Sequence, residues 1–334
     1  MAILVTGAAG FIGFHCCKRL LERGEDVFGI DNLNDYYPVS LKRDRLDALN
    51  DAGGTFRFGQ IDFADRFALD YGLAGTDIDR VLHLGAQAGV RYSLENPHAY
   101  AQSNLIGHLN MLEFARHRDI GHFVYASSSS VYGANPSVPF RVEDRVDHPL
   151  SFYAATKKSN ELMSETYAHL YRIAQTGLRF FTVYGPWGRP DMAIWIFTSR
   201  ILSGQAIPVF NDGNMRRDFT FIDDIVTGVI AALDNPPIDD GLPKAGGSQS
   251  PHRLYNIGNH RAERLGRLID VIEAACGRSA VRDYQPMQPG DVPATYADIS
   301  VIESELGFKP TTSIDVGVPR FVEWYRGYQG RRTE

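Results

Sequence analysis

The chain has 334 residues, 44% hydrophobic and 22% charged, enough for one large or two modest cores. Its formal net charge of −6 gives no general attraction to nucleic acid or an anionic membrane, and no long basic run supplies a local one, so neither partner is expected. Cys16, Cys17 and Cys276 form no C-x-x-C pair and no zinc-like spacing, which argues against a disulfide framework and a metal site.

Ala2 to Val5 reads as a buried strand that runs at once into Gly7-Ala8-Ala9-Gly10-Phe11-Ile12-Gly13. This leaves no room for a cleavable leader. No apolar run nears the roughly 20 residues needed to span a bilayer, so a cytoplasmic protein is expected. The glycines follow a strand and open an apolar helix, where backbone amides and a helix N-terminus bind a pyrophosphate. Gly7, Gly10, Phe11, Ile12 and Gly13 are therefore candidate cofactor contacts, with G-x-x-G-x-x-G spacing.

The next strand, Asp26 to Ile30, ends at Asp31, eighteen residues after Gly13, with Asn32 beside it. A carboxylate there can accept both hydroxyls of an adenosine ribose and would repel a 2′-phosphate, favouring NAD over NADP. Asp62, after Phe58-Gly59-Gln60-Ile61, is placed either to meet an adenine edge or to close a strand-end turn. Arg80 to Leu84 is a further strand, and the small residues of Gly85-Ala86-Gln87-Ala88 let the backbone approach a ribose.

Leu105, Leu109 and Leu112 at i, i+4 and i+7 predict a helix from about Tyr100 to His117. The strand Phe123 to Ala126 ends in Ser127-Ser128-Ser129-Ser130-Val131-Tyr132-Gly133, on the edge where open α/β sheets bind ligands; a serine-rich turn is the alternative reading. A helix from about Phe152 to Tyr171 carries Tyr153 and Lys157, four apart and so on one face. An ammonium beside a phenol favours the phenolate and can draw a tyrosine from about 10 toward neutrality, roughly 4 kcal/mol of differential stabilisation. Glycine loop, acidic strand end, serine-rich strand end and Tyr/Lys pair, in that order, outweigh any one of these motifs alone.

Leu178 to Phe181 completes the early strands. Near-continuous apolar strands alternating with helices predict a doubly wound, Rossmann-type parallel sheet of α/β class, spanning about residues 1–180. After Tyr184, Gly185-Pro186-Trp187-Gly188-Arg189-Pro190 cannot continue a helix, and the chain is expected to leave the sheet. Asp218 to Ile222 reads as a strand leading into a helix from about Asp224 to Leu233, a return to the first domain at about 217–258. Asn235 to Pro251 is expected to be a surface loop, and Leu265 to Cys276 and Val316 to Tyr325 to be helices. Residues 181–334 would then be mainly a smaller α/β substrate domain.

Ser128 with Tyr153 twenty-five residues later, then Lys157, resembles the extended short-chain dehydrogenase/reductase family. The resemblance implies that Ser128 hydrogen-bonds a sugar C4 oxygen, Tyr153 takes its proton, and Lys157 binds the nicotinamide ribose and tunes Tyr153. Dehydratases of the family carry Asp-Glu where this chain has Ser129 and Ser130, and decarboxylases carry Glu at the second position. Without a carboxylate the extra acid/base step loses a contribution typically worth about 10²–10⁴ in rate. Oxidation at C4, rotation and hydride return remain.

Longer strings, Asn32 to Tyr37, Gly85 to Ser93, Phe181 to Met192 and Gln288 to Asp298, resemble the family's 4-epimerases that interconvert UDP-glucuronate and UDP-galacturonate. Thr182 and Gln288 depart from the UDP-galactose epimerase pattern, which has Asn and Arg there. A uronate carboxylate needs charge-assisted or multiple hydrogen bonds once desolvated. Arg189 and Thr182 lead the candidates, followed by Ser127, Ser129 and Arg91, with a structural ion pair as the other reading for either arginine. Arg217 matches a diphosphate-binding arginine, and Val209-Phe210 the segment that holds the uracil. The family commonly dimerises through helices corresponding to Tyr100–His117 and Phe152–Tyr171, so a homodimer is implied. The alternatives are an epimerase or decarboxylase for another UDP-sugar, a ketone reductase releasing NADH, and a silent NAD-binding regulator.

Overall fold

In the computed structural model, which describes residues 1–333, the first half alternates strand and helix as β1 (Ala2–Thr6), α1 (Phe11–Glu22), β2 (Val27–Asp31), α2 (Val39–Asn50), β3 (Phe56–Gln60), α3 (Arg66–Gly72) and β4 (Ile78–His83). Short helices α4 (Tyr92–Glu95) and α5 (Pro97–Tyr100) lead through a π-helical turn at Ala101–Ile106 into α6 (Gly107–His117). Then come β5 (His122–Ser128), a 3-10 turn at Ser129–Tyr132, α7 (Phe152–Tyr171), β6 (Gln175–Phe180) and β7 (Thr182–Tyr184). The remainder is α8 (Ala193–Ser203), β8 (Ala206–Phe210), β9 (Arg216–Phe221), α9 (Ile222–Asp234), β10 (His252–Ile257), β11 (Ala262–Arg264), α10 (Leu265–Cys276), β12 (Val281–Gln285), α11 (Ser300–Leu306) and α12 (Ile314–Thr333).

Seven strands form one parallel sheet in the order β10-β6-β5-β4-β1-β2-β3. Such a sheet must be covered on both faces, and two separate cores do so. Phe14, Cys17 and Leu20 of α1, Leu49 of α2 and Val229 of α9 fill one core; Met111, Leu112 and Phe114 of α6 and Leu69 of α3 fill the other. Strand order reverses between β1 and β4, which opens a crevice at their C-terminal ends. The last third supplies two small sheets, β11-β9-β7 and β12-β8, set against α8, α10 and α12.

Helix α7 has the bounds its periodicity predicts, because Ser151 caps it by accepting from Ala154 N at 3.1 Å. The helix expected from Tyr100 to His117 differs: its first turn is π-helical, and the Asn104 carbonyl accepts from Asn160 Nδ2 at 2.6 Å. Strand β10 escapes a hydrophobicity scan because His252, Arg253 and Asn256 occupy half of it. These buried polar groups are satisfied: His252 bonds Tyr125 and Glu165, each at 2.8 Å, and Asn256 bonds Tyr132 at 2.6 Å. The predicted strand at Asp218–Ile222 is β9, and it pairs with β7 and β11, outside the main sheet. Among the described residues no helix is long and apolar enough to cross a membrane, and no group of three or more His, Cys, Asp or Glu could hold a metal ion.

Asp218 ties the small sheet to the main one. Its fully buried carboxylate accepts from Asn259 N at 2.6 Å and from Thr220 Oγ1, His260 N and Ala297 N, each at 3.1 Å. An amide in its place would turn an NH₂ group against two backbone donors. Asp218→Asn is therefore expected to lose about 1–3 kcal/mol of stability, measurable by urea unfolding. Burial outweighs those hydrogen bonds and raises this carboxyl from 3.8 to about 6. The unfolded chain thus releases the proton first, and stability from this group falls as pH rises from about 4 to about 6.

Candidate active site

The glycine loop is held shut by contacts that leave no space for side chains. A Cβ on Gly13 would lie 2.1 Å from Gly7 O, and one on Gly7, whose φ is +69°, would lie 2.8 Å from Gly85 Cα. Gly10 donates to Gly7 O at 2.8 Å and opens α1 without a side-chain cap. Backbone amides at the helix start are thus left for an anion. Phe11 is buried and packs edge-on against His15, so it serves the helix as core, while Ile12 is half-buried.

Asp31 ends β2 as predicted, buried, with Leu33 N donating to it at 2.8 Å and Lys42 Nζ 3.9 Å away. Burial raises its carboxyl above the usual range, against the opposing pull of Lys42. Lys42 carries no motif that points to this place. Asn32 donates to Asp62 at 3.1 Å, and Asp62 also accepts from Ala64 N at 2.8 Å, so Asp62 closes a turn and meets Asn32. Gly85 N donates to Thr6 Oγ1 at 2.9 Å, bringing the Gly85-Ala86-Gln87 backbone beside Gly7. Asn104, from the π-helical turn, holds Gln87 at both ends of its peptide, at 2.8 and 3.0 Å, and donates to Thr156 at 3.1 Å. No sequence pattern pointed to Asn104.

Ser128 ends β5, and Tyr153 sits in the first turn of α7. Ser130 donates to Ser128 Oγ from both its backbone N, at 3.2 Å, and its hydroxyl, at 3.0 Å. Ser128, its acceptor side occupied, keeps its own proton to donate, and it stands close enough to the Tyr153 phenol to favour the ionised form. Burial nevertheless raises Tyr153 above its ordinary value; Ser128 and the Arg189 charge only moderate this. The expectation that Lys157 pulls Tyr153 toward neutrality is corrected here. Lys157 Nζ donates instead to Ala126 O at 2.9 Å, and burial lowers it to about 8.

Two substrate candidates also lie elsewhere than expected. Ser127 points to the opposite side of the strand from Ser128, as strand alternation requires. It is buried and donates at 2.7 Å to Glu161, which is paired with Arg179 at 2.8 Å. Ser127 is thus part of an internal ion-pair network, and its hydroxyl is removed from the carboxylate set. Arg91 lies 4.4 Å above the Phe210 ring and 3.2 Å from Asp291. Its carboxylate role gives way to a place with Phe210, because the loop after β4 carries it to that end. Arg217 joins this end: it feels both Asp291 and Arg91, and donates to Pro293 O at 3.3 Å. Val209 is buried beneath the half-buried Phe210.

Thr182 opens β7 two residues beyond Phe180, the register partner of Ser128, and is half-buried. Ser129, half-buried, starts the 3-10 turn. Arg189 is close enough for its charge to act on Tyr153, and its guanidinium is paired with Asp191. The result is a glycine-lined cradle, a buried Tyr/Lys pair beside Ser128, an arginine whose charge reaches the tyrosine, and a cluster of Arg91, Arg217 and Phe210. Such a set can move a proton at a hydroxyl beside a bound dinucleotide while fixing an anionic ligand.

The sequence matches the GDP-mannose 4,6-dehydratase family over residues 4–321. It is 50% identical to Protein CapI of Staphylococcus aureus over 98% of this chain and 99% of that one. It is 44% identical to UDP-glucuronate 4-epimerase 1 of Arabidopsis thaliana, covering 100% of this chain and 79% of the other. The fold superposes on UDP-glucuronic acid 4-epimerase from Bacillus cereus, solved with UDP-glucuronic acid and NAD, with a TM-score of 0.87 and 33% identity over 98% of this chain and 100% of that one.

Proposed function

Because the chain belongs to the GDP-mannose 4,6-dehydratase family, within the extended short-chain dehydrogenases/reductases, we propose that it is an NAD-dependent isomerase converting UDP-glucuronate to UDP-galacturonate at C4. The observation that carries this reading is Ser128, held by Ser130 and set beside Tyr153, with no carboxylate at Ser129 or Ser130. The dehydration named by the family needs an additional acid/base pair, and these two positions offer only hydroxyls.

The cradle fits NAD on the chain's own geometry. Gly7, Gly10 and Gly13 would hold the pyrophosphate, Asp31 the adenosine ribose, and Lys157 the nicotinamide ribose, with Asn32, Asp62 and Gly85 to Gln87 lining the dinucleotide path. When bound, oxidised NAD supplies the hydride acceptor at C4 and, once reduced, the donor. Ser128 holds O4 and stabilises the phenolate of Tyr153, which takes the O4 proton and returns it after the sugar ring has turned. Proton inventory is then unchanged over a cycle. Ser129, Thr182 and Arg189 meet the C5 carboxylate; Arg217, Arg91, Val209 and Phe210 receive the UDP portion.

Incubating the purified protein with UDP-glucuronate tests this. UDP-galacturonate without net NADH is expected. UDP-pentose would identify a decarboxylase, stoichiometric NADH a reductase, and NAD binding without turnover a regulator.

Two finer points belong to the same proposal. Ile106 at the end of the π-helical turn, Leu109 of α6 and Phe152 and Leu162 of α7 are exposed apolar side chains, which supports a homodimer through these helices. Sedimentation velocity is expected to give twice the chain mass, and a monomer would contradict it. Three buried free thiols suit a reducing cytoplasm.

A further inference from the structure

Arg189, placed in the proposal against the substrate carboxylate, already holds a carboxylate. Its Nε donates to Asp191 Oδ1 at 2.9 Å and its Nη2 to Asp191 Oδ2, while Tyr36 donates to the same Oδ2 at 3.2 Å. The pair is largely shielded, its side chains 19% and 30% exposed. Burial alone would raise the Asp191 carboxyl, but Arg189 outweighs it and holds the group below its usual range. The arginine whose charge reaches Tyr153 is thus neutralised by its own neighbour two residues on.

A guanidinium has five N–H donors in a planar fork, and Asp191 occupies the Nε/Nη2 edge. The Nη1/Nη2 edge can take a second carboxylate. Two carboxylates on one guanidinium repel each other, and each is held less firmly than it would be alone.

We infer that Asp191 is a positioning residue that shares Arg189 with the substrate carboxylate and limits how tightly that carboxylate is held. The inference rests on the uronate reading of Arg189. Epimerisation requires the 4-keto ring to present both faces, so its carboxylate must loosen from any partner fixed in the wall. An arginine with no second partner would be left as a bare, desolvated charge whenever the carboxylate moved. Asp191 takes up the guanidinium at that moment. A neutral hexose meets an arginine already satisfied and gains nothing from it.

Steady-state kinetics of Asp191→Asn with UDP-glucuronate, beside calorimetric binding of UDP-glucose, tests this. The amide oxygen keeps one Arg189 bond but not the charge. KM for UDP-glucuronate is expected to fall about tenfold, kcat to fall by a similar factor, and UDP-glucose affinity to stay level. Asp191→Glu, which restores the charge, should return both constants toward the parent. A KM for UDP-glucuronate that stays level or rises, or a change shared with UDP-glucose, overturns the inference. If instead Arg189→Ala leaves UDP-glucuronate binding unaltered, it is the uronate reading of Arg189 that fails.

Discussion

Tyr153→Phe is expected to lower kcat by about 10²–10⁴ while leaving bound NAD and the fold intact. The expected size follows from what the hydroxyl does. It stands beside Ser128 as the group that can accept a proton from O4, and Ser130 leaves Ser128 its own proton to donate. The ring itself is packed edge-on against Tyr100, with centroids 5.9 Å apart, a contact phenylalanine keeps. Burial, which raises the phenol, makes donation from Ser128 to the phenolate more important, since a donated hydrogen bond is worth most where water is absent. Retained turnover near the parental rate, with nucleotide content also unchanged, would show that another group moves the proton.

Arg189→Ala is expected to weaken UDP-glucuronate binding by about 2–4 kcal/mol and to divert part of the turnover to carbon dioxide release. Two effects add in the binding loss. The substrate carboxylate loses its cation, and Asp191 is left buried beside it without one. The chemical diversion has a separate origin. The 4-keto uronate is a β-keto acid, which loses carbon dioxide once its carboxylate bond aligns with the carbonyl π system. A clamp that holds the carboxylate out of that alignment while the 4-keto ring is seated, and releases it only for the turn, limits the time in which the intermediate can lose carbon dioxide. Thr182→Ala should show the diversion with a smaller loss of binding, because it removes a hydroxyl and leaves the charges. UDP-pentose measured by NMR reports the partition, and a product ratio identical to the parent in both variants would remove the protective role.

What could be read from the sequence was the part encoded over short distances. The glycine loop, the Asp31 strand end and helix α7 are runs of neighbouring residues whose spacing fixes their geometry, and the structure places them accordingly. Ser127 and Ser128 illustrate the limit: adjacent in sequence, they face opposite sides of β5, and only the second reaches Tyr153. Arg91 could not be placed, because its position depends on a loop meeting Asp291, two hundred residues later. Asn104 stayed hidden because its value lies in a π-helical turn, which has no signature of its own. The direction of the Tyr153 shift was missed for a different reason. Helical spacing places Lys157 on the same face, but burial, a property of the whole fold, raises the phenol, and the lysine is turned to Ala126 O.

Reversible oxidation and reduction at C4 of a uronate proceeds without exchange of the hydride. Its most direct test is conversion of UDP-glucuronate carrying deuterium at C4, followed by NMR in ordinary water. UDP-galacturonate that keeps the deuterium at C4, with no free NADH and no UDP-pentose, is the predicted result. Loss of the label from C4, or a decarboxylated product in place of UDP-galacturonate, would contradict it.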